Sequence, residues 1–185
     1  AIGGLGRDAN GGEAGFVKVY EYSDSSWVQL GNEIIGDASN DEFGHSIALS
    51  NDGSILAIGA PSNNTNNVEE GYVRVYEYQQ GAWSQIGLDI KGDSANDRCG
   101  YSVSLSANGN ILAIGEPGRG RGVGQVRVFE FKQGVWTLSG NIIEADTADG
   151  GMGWSVSLGS EGDVIAIGIP GHTYLGSGRG QVRIY

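Results

Sequence analysis

The stretch FGHSIALSNDGSILAIGAP, residues 43–61, decides the fold because the chain repeats it. It returns as CGYSVSLSANGNILAIGEP at residues 99–117 and as MGWSVSLGSEGDVIAIGIP at residues 152–170, without an insertion. A truncated copy, AIGG, opens the chain at Ala1. Copies of equal length indicate a repeated structural unit whose neighbours supply the packing surface that one unit lacks.

Each copy predicts two strands on either side of a turn. Residues 45–50 alternate large apolar and small side chains, which is the two-residue period of a strand. The turn at Asp52-Gly53 is predicted to be a tight two-residue hairpin, because Asp-Gly readily adopts positive φ angles. The ILAIG run that follows is apolar on both faces, which predicts a strand buried on both sides and ended by Pro61.

Two further strands complete the repeated unit. The third strand is FVKVYEY at residues 16–22 and YVRVYEY at residues 72–78, with related copies later in the chain. Arg74 is predicted to lie over or beside the aromatic side chains on its own face of that strand. The fourth strand opens with a tryptophan in each unit and leads into a polar link. No part of the sequence shows the 3.6-residue period of a helix.

The predicted fold class is therefore all-β, built from repeated four-stranded antiparallel meanders. Such meanders cannot bury both faces alone, so they stack as β-propeller blades or as an open stacked blade array. We expect a single repeat array over residues 1–185. Its expected divisions are a partial blade plus link (1–56), two repeats (57–112 and 113–165) and a partial repeat (166–185).

The repeated stretch resembles the FG-GAP repeat of integrin-α-type β-propellers. The motif is literal in the first full copy, which contains Phe43-Gly44 and Gly59-Ala60-Pro61. The recurring tryptophan and the LAIGAP-type exit are similar to a subtype found in large repetitive extracellular proteins. The resemblance implies a β-propeller and an extracellular or cell-surface location.

The later copies depart from this motif at two packing positions. Cys99 and Met152 replace the phenylalanine, and Glu116 and Ile169 replace the alanine. We interpret these as tolerated changes. Many FG-GAP repeats hold Ca²⁺ in an Asp-rich loop, but here that loop is as short as residues 51–53, too few for the six to eight oxygens that Ca²⁺ requires. We therefore predict no metal at that position, and no cofactor.

Composition restricts the class of partner. The formal net charge is -11, from 22 acidic and 11 basic residues, which argues against nucleic acid and anionic membrane surfaces. No apolar run is long enough to predict a membrane span. The single cysteine, Cys99, permits no intrachain disulfide. The chain begins inside one repeat and ends inside another, so we interpret it as a piece of a longer or processed protein.

The polar links suggest one candidate site. A surface acidic cluster there would bind a cation or act as acid and base, although turns in which Asp bonds its own backbone explain the same residues. Its members are paired in sequence: Asp37 and Asp41, Asp93 and Asp97, and Asp146 and Asp149.

Other single residues carry weaker signals. Asn63 begins an N-glycosylation acceptor tripeptide in a polar loop. His45 aligns with Tyr101 and Trp154, which predicts aromatic packing for this position. His172, in a variable loop, has no predicted catalytic partner, so we assign no catalytic residues. The Gly-Arg run at residues 118–122 predicts a loop whose arginines could meet an acidic partner, a sugar or a phosphate.

These features favour a non-catalytic extracellular repeat protein for adhesion, or for binding a protein or glycan partner through its variable loops. The alternative is a structural subunit that assembles end to end into an extracellular filament or surface layer. In that case copies of the chain would associate through unpaired sheet edges.

Overall fold

The computed structural model describes residues 1–6, 14–62, 70–145, 150–171 and 180–185. These residues form antiparallel sheets that stack on one another, and each repeat contributes one sheet. The predicted all-β class is confirmed.

The first sheet contains β1 (Ile2–Gly4), β2 (Phe16–Lys18) and β5 (Ile34–Ile35), beside a hairpin of β3 (Tyr20–Ser23) and β4 (Ser26–Gln29). The second contains β6 (Ser46–Leu49), β7 (Ile55–Ala60), β8 (Tyr72–Gln79), β9 (Ala82–Gln85) and β10 (Ile90–Lys91). The third contains β11 (Ser102–Leu105), β12 (Ile111–Glu116), β13 (Gln125–Lys132), β14 (Val135–Leu138) and β15 (Ile143–Glu144). The fourth contains β16 (Ser155–Leu158), β17 (Ile165–Ile169) and β18 (Gln181–Ile184). A four-residue helical turn, α1 (Arg119–Gly122), lies between β12 and β13.

The strand that opens with tryptophan is predicted as one piece, but the structure divides it in two. In the second sheet β9 pairs with the end of β8, and β10 pairs with its beginning. Gly87 lies between the two segments at φ +72°, and Gly31 and Gly140 take the same place in the neighbouring repeats at +72° and +74°. A left-handed residue interrupts the pleat, so the recurring glycine explains the break.

The turn between β6 and β7 also differs from the predicted two-residue hairpin. The N–H of Ser50 donates to the carbonyl of Ile55 at 2.9 Å, which closes a loop over residues 51–54. Within this loop only Gly53 has a positive φ, +73°. The carboxylate of Asp52 accepts hydrogen bonds from Ser50 Oγ at 2.7 Å and from the N–H and Oγ of Ser54 at 3.0 and 2.8 Å, so the side chain closes the turn.

The hydrophobic core lies between successive sheets. Strand β7 is buried on both faces, as predicted, because the second sheet lies between two others. Leu56 and Ile58 pack with Val17 of the first sheet, whereas Ala57 belongs to the cluster that contains Leu112 of the third. A separate cluster joins the third and fourth sheets.

Neighbouring sheets approach most closely where a glycine of one meets a glycine of the next. A Cβ on Gly59 would lie 2.0 Å from the carbonyl oxygen of Gly100, which also accepts a 2.8 Å hydrogen bond from Ser46 Oγ. Gly115 and Gly153 repeat this backbone contact at the next junction, again at 2.0 Å. The glycines of the repeated stretch are therefore required for docking one sheet on another.

Candidate functional site

The polar link before the third sheet is held together by Asp97. This residue is 1% exposed, and its Oδ2 accepts hydrogen bonds from the N–H groups of Asp93 and Ser94 at 3.1 and 2.9 Å. Arg119 donates to the same oxygen at 3.0 Å. Asp97 thus closes its own turn and fixes the loop that carries α1, and it does not lie on the surface.

In the second sheet the aspartates surround Arg74, which lies over the ring of Tyr72 at 4.8 Å as predicted. Its guanidinium donates to Asp89 at 2.8 and 3.0 Å and forms an ion pair with Asp37. Burial alone would lower the pKa of Arg74, but the hydrogen bonds to Asp37 and Asp89 outweigh it and raise that pKa. Asp41 is buried and accepts a 3.3 Å hydrogen bond from the Tyr72 hydroxyl.

The third sheet pairs its arginine with a different element. Arg127 occupies the position of Arg74, but Ile142 stands where the second sheet has Asp89. Its carboxylate partner is instead Glu116 at the end of β12, with Arg127 Nε donating to Oε1 at 2.7 Å. Burial raises the pKa of Glu116, and the Arg127 guanidinium opposes that shift.

The two departures from the FG-GAP motif in the third sheet are therefore coupled. Arg127 Nη2 lies 3.6 Å from Cys99 Sγ, so the smaller cysteine makes room for the ion pair where Phe43 packs against Tyr72 in the second sheet. Gln125 replaces that tyrosine and donates to Glu116. Burial raises the pKa of Cys99 well above its usual value, so the thiol stays neutral and serves in packing.

The two predicted acidic pairs that the structure describes are accordingly divided among ion pairs, turns and a hydrogen bond to Tyr72. Within the ranges that the structure describes, no group of three or more His, Cys, Asp or Glu side chains is placed to hold a metal ion. Asp146, Asp149, Asn63 and His172 lie outside the described residues. The glycosylation site and the absence of a metal remain predictions.

A row of aromatic side chains crosses the stack at the start of each first strand. The rings of His45 and Tyr101 lie 4.7 Å apart, and those of Tyr101 and Trp154 lie 4.8 Å apart. The predicted aromatic role of His45 is therefore confirmed. Trp154 ends the row and is 47% exposed.

Trp154 lines a cleft of about 520 Å³ between the loops of the third and fourth sheets. Its lining includes Asn96 of one polar link, Gly150 and Gly151 before β16, Pro117 with residues that follow it, and Pro170 with Gly171. Two exposed arginines, Arg98 and Arg121, line it as well. Both have left-handed φ angles, 57° and 64°.

Sequence reasoning identified the loops but not the cleft. The sequence predicts the Gly-Arg run as a loop whose arginines could meet an acidic partner, a sugar or a phosphate, and Arg121 belongs to it. Arg98 lies in a polar link for which the sequence prediction rests on the aspartates alone. Alignment of the repeats carries a signal for this residue. Arg98 aligns with Glu42, so the charge at this position is reversed between the two repeats.

Comparison with known families identifies the repeat. Residues 36–76 match the FG-GAP repeat, so the chain carries an FG-GAP repeat at the stretch that contains the literal motif. A search of curated proteins gave no match. Among the described residues, no helix is long and apolar enough to cross a membrane.

Solved structures with similar folds are of β-propeller type. The periplasmic gluconolactonase of Pseudomonas aeruginosa shares 15% identity at a TM-score of 0.54, covering 91% of this chain and 45% of that one. A candidate 6-phosphogluconolactonase from Bacteroides fragilis shares 20% at 0.51, covering 72% and 34%. Hydrazine synthase of Kuenenia stuttgartiensis shares 12% at 0.53, covering 86% and 36%. The chain spans less than half the length of each, and these similarities show the fold alone.

Proposed function

We propose that this chain is part of a non-catalytic extracellular β-propeller protein that binds a partner through its variable loops. The observation that carries the proposal is the cleft at the junction of the third and fourth sheets. Its described lining comes from residues 96 and 98 before β11, from residues within 117–122 after β12, and from residues within 150–154 and 170–171 of the fourth repeat. The sequence likewise predicts the contact surface on the loops and not on the strands. Ligand-binding residues commonly lie on loops held by a rigid scaffold, and a stack of sheets docked backbone to backbone is such a scaffold.

Two structural neighbours are named as lactonases, but we assign no catalytic step to this chain. Within the described ranges the cleft combines arginines, glycines, prolines and a tryptophan, without a nucleophile placed beside a base. Cys99 is fully buried and its thiol is neutral. These observations support recognition rather than turnover.

The test is to measure retention of the purified chain on arrays of extracellular-matrix proteins and glycans. Replacing residues 118–122 by an unrelated loop should abolish retention, whereas Asn51→Ser, in a turn at the opposite end of the strands, should leave it intact. Three results would contradict the proposal: a chemically altered ligand, retention that depends on the turn containing Asn51, or no retention of the wild-type chain. Equal thermal unfolding of the three proteins is the control for folding.

A second candidate function is end-to-end assembly of copies of this chain. Trp83 is 7% exposed and donates from Nε1 to the carbonyl of Leu30 in the preceding sheet at 2.9 Å. The equivalent Trp27 is 68% exposed, and Ile184 on the last sheet is 72% exposed. A second copy stacked in the same manner would cover both faces. Electron micrographs that show single particles at all concentrations would exclude this candidate.

A further inference from the structure

We propose that the cleft between the third and fourth sheets binds a short acidic saccharide, a pyranose sugar with one or two carboxylate or sulfate groups. The inference rests on the proposed binding function and names the ligand class of the same cleft. Three side chains carry it: Arg98, Arg121 and Trp154.

The charge of the cleft is the first argument. Arg74, Arg119 and Arg127 each form an ion pair with a carboxylate, whereas Arg98 and Arg121 have no acidic partner among the described residues. In a chain with a net charge of -11, two such arginines at one cleft are set apart from the rest of the surface. A planar guanidinium binds a carboxylate or sulfate through two parallel hydrogen bonds.

The exposed ring of Trp154 is the second argument. The ring packs against Tyr101, with the ring centroids 4.8 Å apart and the planes tilted by 54°, and it also lines the cleft. One face of a pyranose carries C–H groups that pack on an indole, while its hydroxyls point outward at the edge. Those hydroxyls are left to the arginine side chains, because the N–H groups of Gly118 and Gly151 at the cleft already donate to the carbonyls of Asp97 and Gly122.

The overall charge limits the size of the ligand. A long polyanion would meet the 22 acidic residues of the chain outside the cleft and be repelled. A purely apolar ligand would leave two guanidinium groups without partners. A short sugar with one or two anionic groups satisfies both conditions.

The repeats provide substitutions that preserve the backbone. Arg98 corresponds to Glu42 of the preceding repeat, and both residues are left-handed, with φ angles of 57° and 55°. R98E therefore reverses the charge in a conformation that glutamate already adopts in this chain. Trp154 corresponds to Tyr101, so W154Y keeps an aromatic ring at this position, whereas W154A removes it.

The experiment is calorimetric titration with a trimer of two galactose units and one galacturonate, a singly sulfated disaccharide and a neutral galactose trimer. We expect the wild-type chain to bind at least one acidic sugar about tenfold more tightly than the neutral one, and R98E and R121Q to weaken that binding by about tenfold or more. W154A should weaken binding by about tenfold, and W154Y by about threefold or less. The trimer and the disaccharide distinguish carboxylate from sulfate recognition.

Three results would overturn the inference: equal binding of the neutral trimer, unchanged binding by R98E and W154A, or no binding of either acidic sugar. In the last case, retention on the arrays that still depends on residues 118–122 would leave the proposed binding function standing. Loss of both readouts would remove both proposals. Thermal unfolding of each variant confirms that the chain is folded.

Discussion

At Asp52 a single carboxylate holds a turn together. We expect Asp52→Ala to lower the free energy of unfolding by about 1 kcal/mol, because the hydrogen bonds from Ser50 and Ser54 are lost. Asp52→Asn should be nearly neutral, since Asn108 makes the same bonds in the third sheet, from Ser106 Oγ at 2.8 Å and the N–H of Asn110 at 3.0 Å. Urea unfolding at pH 7 measures both variants.

The same residue predicts a dependence of stability on pH. The hydrogen bond from Ser50, followed by that from the Ser54 N–H, lowers the pKa of Asp52 from 3.8 to about 2 in the folded chain. A carboxylate whose pKa is lower in the folded state stabilises it above the unfolded pKa and loses that effect as pH falls. The wild-type chain should therefore lose stability relative to Asp52→Asn between pH 4 and pH 2. Parallel pH profiles of the two proteins would refute this.

Variants of the third sheet can test whether its two departures from the motif, Cys99 and Glu116, are energetically coupled. We expect Cys99→Phe to destabilise the chain by about 2–4 kcal/mol, because the ring would displace the buried Glu116–Arg127 pair. A variant that reproduces the second sheet should recover most of this loss. Its changes are C99F, E116A, Q125Y and I142D, which restore the equivalents of Phe43, Ala60, Tyr72 and Asp89.

Chemical unfolding of the single, partial and complete variants measures the coupling. E116A alone should be strongly destabilising, since it leaves Arg127 buried beside Cys99 without its main partner. Losses that simply add across the four positions would show that the departures are independent.

The sequence predicted the strands from patterns that depend on one strand and its two faces. The double burial of β7 followed from the ILAIG run, and the position of Arg74 followed from the aromatic side chains on its face. The break at Gly87 was missed because one glycine in a strand does not distinguish a bend from a close approach. The sequence did not predict that Glu116 replaces the equivalent of Asp89 as the carboxylate partner of Arg127, because this ion pair joins residues on different strands.

The sequence did not predict the cleft either, because its residues also come from different parts of the chain. The segments that carry Arg98 and Arg121 are joined within the third repeat by the Asp97–Arg119 pair, and Trp154 reaches them only when the third and fourth sheets dock. Their spacing in sequence carries no period. Alignment of the repeats shows where each position sits within its sheet, and the docking geometry must then supply the contact.

At the scale of the whole molecule, docking depends on the glycine contacts between sheets. We expect Gly115→Ala to lower the free energy of unfolding by about 2–3 kcal/mol, because its Cβ would lie 2.0 Å from the backbone oxygen of Gly153. Gly168→Ala is the matched control, since the nearest atom there is Ser155 Oγ at 2.3 Å, which can rotate away. Urea unfolding measures the difference, and equal losses would contradict the assigned role of the contact.

Gly168→Ala also tests assembly. In a stack of copies this glycine would meet the backbone of the next chain, so the substitution should block association while the single chain remains folded. Sedimentation velocity at several concentrations measures the association. Unchanged association in this variant would exclude stacking in the manner of the internal junctions.

The glycine contacts between sheets bear on how the number of repeats can change during evolution. Since every junction joins main-chain atoms of equivalent residues, recombination that removes or duplicates one whole unit leaves two surfaces that still fit. Removal of residues 43–98, for example, would bring Gly100 to the place that Gly44 now holds against Gly3. Copy number can thus drift without a new interface, while the variable loops diversify independently of the junctions.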